Sequence, residues 1–174
     1  MNLHLIGFGV ALTVGVTLVS VGRIDAAAPA SACRAAEYHQ LDFWVGRWNV
    51  VNTRDGTPAG HSLIESVYQA CSIRENWSEP GFSGGSLNTY SAIDRRWHQI
   101  WTDSRGSWRE FIGGAHDRTM ILTHEQPSAR FPGKTVRIRI ELSPNPDGTV
   151  RQYSDETVDG ANWVERYDYT YRRQ

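Results

Sequence analysis

Glu75 and Trp77 stand two residues apart in the run Cys71-Ser72-Ile73-Arg74-Glu75-Asn76-Trp77. At a strand's period of two, Cys71, Ile73, Glu75 and Trp77 share one face. If that face is inward, Glu75 is a carboxyl beside tryptophans in a poorly solvated interior, and burial raises its pKa. Such a group can hold a ligand amine or hydroxyl, or act as a general acid or base. Its competing role is structural, an ion pair with an Arg from another strand. A second constellation is Trp97-His98-Gln99-Ile100-Trp101-Thr102-Asp103. Here Trp97, Gln99, Trp101 and Asp103 share a face. Two indoles flanking one amide make flat apolar walls with a single group that both donates and accepts. Small-molecule pockets are lined that way, although both indoles could equally fill a solid core. Asn88 and Tyr90 share a face, as do Val150 and Gln152. With Gln99 they could form a ring of uncharged hydrogen-bonding groups, suited to a neutral or zwitterionic ligand. An inward Arg109, Arg137, Arg139 or Arg151 would supply a cation if the faces are assigned differently.

The candidate binding set is therefore Glu75, Trp77, Asn88, Tyr90, Trp97, Gln99, Trp101 and Gln152. Glu75 is also the candidate catalytic group, with Tyr90 or His98 assisting if the protein is an enzyme. Other chemistries have little support. His39, His61, His98, His116 and His124 show no metal-ligand spacing, so no metal and no cofactor are expected. Haem ligation by His98 or His124 is the one alternative. The chain has no nucleophile elbow, phosphate loop or dinucleotide fingerprint. Its 18 Lys+Arg against 19 Asp+Glu leave a net charge of −1, which argues against nucleic acid as a partner. A small molecule is the expected partner.

Short runs rich in Val, Ile, Tyr, Trp and Thr must position these groups. Turn signals separate them at Arg54-Asp55-Gly56, Glu79-Pro80-Gly81, Asp94-Arg95-Arg96, Ser104-Arg105-Gly106, His116-Asp117-Arg118, Phe131-Pro132-Gly133, Pro146-Asp147-Gly148 and Val158-Asp159-Gly160. The spacing predicts about ten strands, at 46–53, 60–69, 70–78, 85–93, 96–103, 106–113, 118–125, 134–142, 148–156 and 162–172. In 134–142, Val136, Ile138, Ile140 and Leu142 alternate with Arg137, Arg139 and Glu141, so one face is buried and the other wet. Trp163, Glu165, Tyr167, Tyr169 and Tyr171 fall on one face of the last strand. Gly84-Gly85 and Gly113-Gly114 read as turns or bulges. A short helix is expected from Ala35 to Gln40. Even hairpins along the chain favour an antiparallel up-and-down β-barrel, because closure removes exposed edges. A β-sandwich is the alternative.

Leu3 to Val21 is an apolar run without charge, followed by Arg23, Asp25 and a string of Ala, Pro and Ser. This is the pattern of a signal peptide over residues 1–32, cleaved between about 26 and 32. A periplasmic or secreted protein follows, without stable membrane insertion after cleavage. An uncleaved anchor and a lipoprotein acylated at Cys33 are the alternatives. Residues 33–174 then form one domain. Cys33 and Cys71 are the only cysteines; an even count in an exported chain reads as a disulfide.

Gly46-Arg47-Trp48 resembles the Gly-x-Trp signature of lipocalins, with Gly turning the chain into the barrel and Trp plugging its closed end. By the same likeness Arg172 or Arg166 would lie over Trp48. A longer pattern is Phe43-Trp44-Val45-Gly46-Arg47-Trp48, then Cys71-x3-Glu75-Asn76-Trp77, Gly85 to Tyr90, Trp97-His98-Gln99-Ile100-Trp101-Thr102-Asp103, and Asp159-Gly160-x2-Trp163. It resembles a family of exported bacterial domains of unknown function with a lipocalin-like barrel, over roughly Cys33 to Arg172. The resemblance implies a fold and a compartment, and no catalytic residues. The expected function is binding of a small, largely apolar molecule within the barrel. The alternatives are a small lyase, isomerase or hydrolase, and a periplasmic interaction domain with a solid core.

Overall fold

The computed structural model describes residues 33–174; the expected signal segment, 1–32, lies outside the described residues. The short helix expected from Ala35 to Gln40 is a 3₁₀ turn over Ala36–His39, and a second 3₁₀ turn, Asp42–Trp44, follows it. Ten strands follow: β1 (Gly46–Asn52), β2 (Pro58–Val67), β3 (Ser72–Glu79), β4 (Phe82–Ser91), β5 (Arg96–Asp103), β6 (Trp108–His116), β7 (Thr119–Pro127), β8 (Thr135–Pro144), β9 (Val150–Thr157) and β10 (Val164–Arg173). Each pairs antiparallel with its sequence neighbours, and β1 closes on β10 through Trp48–Arg173 to Asn52–Tyr169. The architecture is a closed up-and-down barrel, not a sandwich.

Alternation decides the inside. Ile73, Glu75 and Trp77 of β3, Ser86 and Asn88 of β4, and Trp97 and Gln99 of β5 are all buried. Their intervening residues are exposed or half-buried. On the outside, Arg137 pairs with Glu125, Arg139 with Asp155 and Arg151 with Asp168. Cross-strand charge pairs of this kind cover the wet face of the sheet.

One end of the barrel is plugged. Leu41, Trp44 and Trp48 are fully buried there. Trp48 Nε1 donates to the Trp44 carbonyl at 2.8 Å. The Arg173 guanidinium lies 4.4 Å over the Trp48 ring, so the cation expected from Arg172 or Arg166 comes from Arg173. Strand pairing puts Arg173 directly opposite Trp48, whereas Arg172 is opposite Asn49 on the other face. Gly46 has φ +153°, and a Cβ there would meet Arg173 Nη1 at 2.7 Å. The Cys33–Cys71 disulfide ties the chain ahead of this plug to the β2–β3 turn, with Cα atoms 5.1 Å apart.

Three expectations need correction. Gly84-Gly85 and Gly113-Gly114 are neither turns nor bulges; they lie within β4 and β6. A Cβ at Gly60 would come within 2.6 Å of the Trp77 ring, and one at Gly84 within 2.5 Å of the Trp101 ring. These glycines make room for indoles lying flat on the inner wall. Second, the β10 ladder does not hold one face. A bulge between Glu165 and Tyr167 adds one residue. Tyr167, Tyr169 and Tyr171 remain with the inner wall, while Trp163 lies under the outer Arg139, 4.3 Å from its guanidinium. Third, residues 68–70 belong to no strand. Tyr68, Gln69 and Ala70 all have φ between 53° and 66°, one left-handed turn without a glycine to announce it.

Candidate functional site

The lumen between the plug and the opposite end holds a cavity of about 320 Å³. Its walls include Trp77 of β3, Trp101 of β5, Phe111 of β6, Ile138 and Ile140 of β8, and Tyr167 and Tyr169 of β10. Trp77 stacks on Tyr169 with centroids 5.8 Å apart, and Tyr169 stacks on Tyr167 at 4.7 Å. The three rings form one continuous stack along the lumen.

Glu75 stands in that lumen, 3% exposed. Ser62 donates to its Oε1 at 3.2 Å and Ser86 to its Oε2 at 3.0 Å. The Tyr171 hydroxyl sits 3.5 Å from Oε1 and donates to Gln152 Oε1 at 2.6 Å. Burial pushes the Glu75 carboxyl up to about 7, against the opposing pull of these hydroxyls. The partners are uncharged, and among the described residues no ion pair involves Glu75; the Arg partner considered for it is not found. Burial also raises the Tyr171 phenol well above the usual range, and negative charge on Glu75 would raise it further. The proton near neutral pH thus belongs to the pair's carboxyl member, which alone titrates there.

A relay runs from this carboxyl towards the floor. Asn88 Nδ2 donates to Ser86 Oγ at 2.9 Å and to the Ile73 carbonyl at 3.1 Å. Gln99 Nε2 donates to Asn88 Oδ1 at 2.7 Å. Ser154, 1% exposed, also lines the cavity, with the Tyr167 phenol beside it.

Of the eight residues expected to bind, Glu75, Trp77, Gln99, Trp101 and Gln152 line the cavity. Asn88 lies behind them and holds Gln99 in place. Tyr90 and Trp97 face inward but at floor height. Trp97 Nε1 donates to Gln40 Oε1 at 2.9 Å, and Tyr90 meets Tyr38 edge-on at 5.3 Å. His98 points outward, between Asp94 at 2.9 Å and Glu110 at 3.0 Å, and cannot assist Glu75. Among the described residues no group of three His, Cys, Asp or Glu could hold a metal.

Sequence reasoning passed over Ser62, Ser86, Phe111, Tyr167 and Tyr169, and left Arg109 undecided. Arg109 pairs with Trp101 across β5–β6 and lines the cavity, whereas Arg137, Arg139 and Arg151 face out. Its side is set by the same alternation that buries Phe111, two residues on. Asp103 also lines the cavity. It accepts Trp101 Nε1 at 3.1 Å and the N–H groups of Arg105 at 2.9 Å and Ser107 at 3.2 Å. Partial burial opposes its ionisation, yet these donors hold its carboxyl down to about 2. An ionised Asp103 therefore clamps the Trp101 indole.

No protein-family model matches the chain, and no curated protein matches it significantly.

Proposed function

We propose that this protein is an exported barrel of lipocalin-like kind that holds a small, largely apolar molecule in its lumen. The observation that carries this reading is the cavity of about 320 Å³, walled by six aromatic side chains around one buried carboxyl. Ligand pockets start at about 300 Å³ and combine apolar walls with a few placed polar groups. Burying an apolar body there gains about 25 cal/mol per Å² removed from water. Gln99, Gln152 and Glu75 supply the handles that orient it. A hollow lumen counts against the interaction domain with a solid core. The Cys33–Cys71 disulfide supports an oxidising compartment, as does the apolar run with its small-residue exit. Among the described residues no helix is long and apolar enough to cross a membrane.

Mass spectrometry of the purified protein tests the reading, first under non-denaturing conditions and then denatured. The expected result is an extra non-covalent mass that disappears on denaturation. With that molecule in hand, Gln99→Leu and Trp101→Ala are each expected to weaken binding about tenfold, some 1.4 kcal/mol, with the barrel's circular dichroism unchanged. Unchanged affinity in both variants sinks the reading.

One observation favours turnover as a second reading. A carboxyl pushed up to about 7 is poised for proton transfer at neutral pH. In that case Glu75→Gln abolishes turnover and keeps affinity within about tenfold; retained turnover removes Glu75 from the chemistry.

A further inference from the structure

The two ends of the cavity differ in chemistry. At the floor, polar groups satisfy one another: Gln99 bonds Asn88, Asn88 bonds Ser86, and Ser86 bonds Glu75. At the mouth, one cation is left over. Arg109 sits on the inner face of β6 between Ser107 and Phe111, which also line the cavity. Its Nε donates to Gln126 Oε1 at 3.4 Å, and among the described residues no ion pair involves its guanidinium. The neighbouring cations are engaged. Arg105 lies 4.7 Å over the Phe82 ring, and Arg166 pairs with Glu156. Asp103, the nearest lining anion in sequence, is turned to Trp101 and its own turn. Glu79 stands on β3, on the Tyr169 side of the mouth.

A half-buried guanidinium with unused N–H donors is costly unless something accepts from them. Its planar fork matches a carboxylate, sulfonate or phosphate. Strand register also measures the site. Glu75, Ser86, Trp101 and Arg109 stand opposite one another in turn across β3, β4, β5 and β6. Three strand spacings separate the ends, about 14 Å along the wall. Trp101 lies on this line, and the Trp77–Tyr169–Tyr167 stack lines the same lumen.

We propose that the occupant is an amphiphilic anion, with a flat apolar body against these rings and one carboxylate, sulfonate or phosphate seated on Arg109. The inference rests on the binding reading above and adds the occupant's charge and polarity. It replaces the neutral ligand that the ring of amides suggests when the facing of Arg109 is left open.

Two fluorescent probes separate the alternatives. 1-Anilinonaphthalene-8-sulfonate and N-phenyl-1-naphthylamine share one aromatic body and differ by the sulfonate. The purified protein is expected to bind the sulfonate probe at least about tenfold tighter. Arg109→Gln is expected to weaken that probe about tenfold and the neutral one by less than about twofold, while Arg109→Lys is intermediate. Raising NaCl from about 0.05 to about 0.5 M is expected to weaken only the sulfonate probe. The salt arm needs no variant, so it stands if Arg109→Gln fails to fold. Equal affinity of the two probes, or a sulfonate probe indifferent to both Arg109→Gln and salt, overturns the anion and leaves the binder. Saturable binding of neither probe overturns both.

Discussion

Glu75 is a cost that the fold carries where a glutamine would not. Its carboxyl titrates near 7 when folded and near 4.5 when exposed. The folded state therefore holds the proton more tightly, and the carboxyl costs nothing below about pH 4.5. Stability is then lost as pH rises towards and through about 7, to a limit of about 3 kcal/mol. His98 acts in the same direction. Hydrogen bonding to Glu110, and after it to Asp94, raises its pKa. Its contribution is full below about 6.5 and disappears as pH rises through the folded value. The wild type alone cannot apportion the two, but the difference between Glu75→Gln and wild type can. Denaturant melts are expected to show the variant gaining up to about 3 kcal/mol on the wild type between pH 5 and 8; a constant difference would show that Glu75 ionises freely. A second residue-scale expectation concerns Gly84. In Gly84→Ala the new Cβ would meet the Trp101 ring at 2.5 Å and the Thr102 carbonyl at 3.0 Å. Overpacking of this kind costs about 1–3 kcal/mol. The near-ultraviolet circular dichroism of the indoles should change, and binding should weaken. Gly114→Ala, with nothing within 4 Å of its Cβ, is the control and should change neither.

Elements were readable where punctuation is chemical. Each of the Gly, Pro and Asp turn signals falls between two strands of the barrel. The β2–β3 turn escaped because Tyr68-Gln69-Ala70 carries no such residue and takes the left-handed conformation anyway. Three such residues cost roughly 1–2 kcal/mol each, so packing and the adjacent disulfide must hold them. The disulfide spans a sequence separation of 38, worth about 3–4 kcal/mol by loop entropy. Urea midpoints measured with and without reductant should differ accordingly, and the intact mass of the protein should rise by two hydrogens on reduction. Coincident midpoints would assign the plug's stability to Leu41, Trp44 and Trp48 alone. The β10 bulge escaped for a different reason. Glu165-Arg166-Tyr167 reads as uninterrupted alternation, and only pairing with β9 reveals the extra residue.

Closure is a property of the whole molecule. Without β10, the edges of β1 and β9 would both lie open, each a template for another chain. Removing residues 164–174 also takes away Tyr171, which packs against Trp44, Trp48 and Trp77. The truncated chain is expected to elute as multimers or aggregate in size-exclusion chromatography. A truncated chain that elutes and melts like the full one would show that the seam contributes little.

Sequence alone determined which side chains share a face wherever a strand runs without a bulge, because side chains alternate with a period of two whatever their chemistry. From that came the shared faces of Glu75 with Trp77 and of Gln99 with Trp101; the regular turn signals pointed to the barrel and the even cysteine count to the Cys33–Cys71 pair, while the closed structure turned these faces inward and removed His98 from the side of Glu75. Alternation assigns a face but not a height. Only the closed structure placed Tyr90 and Trp97 at the floor, Asn88 behind Gln99, and Arg109 at the mouth. Height depends on strand tilt and on pairing between residues far apart in the chain, such as Trp48 with Arg173, and no local pattern records it.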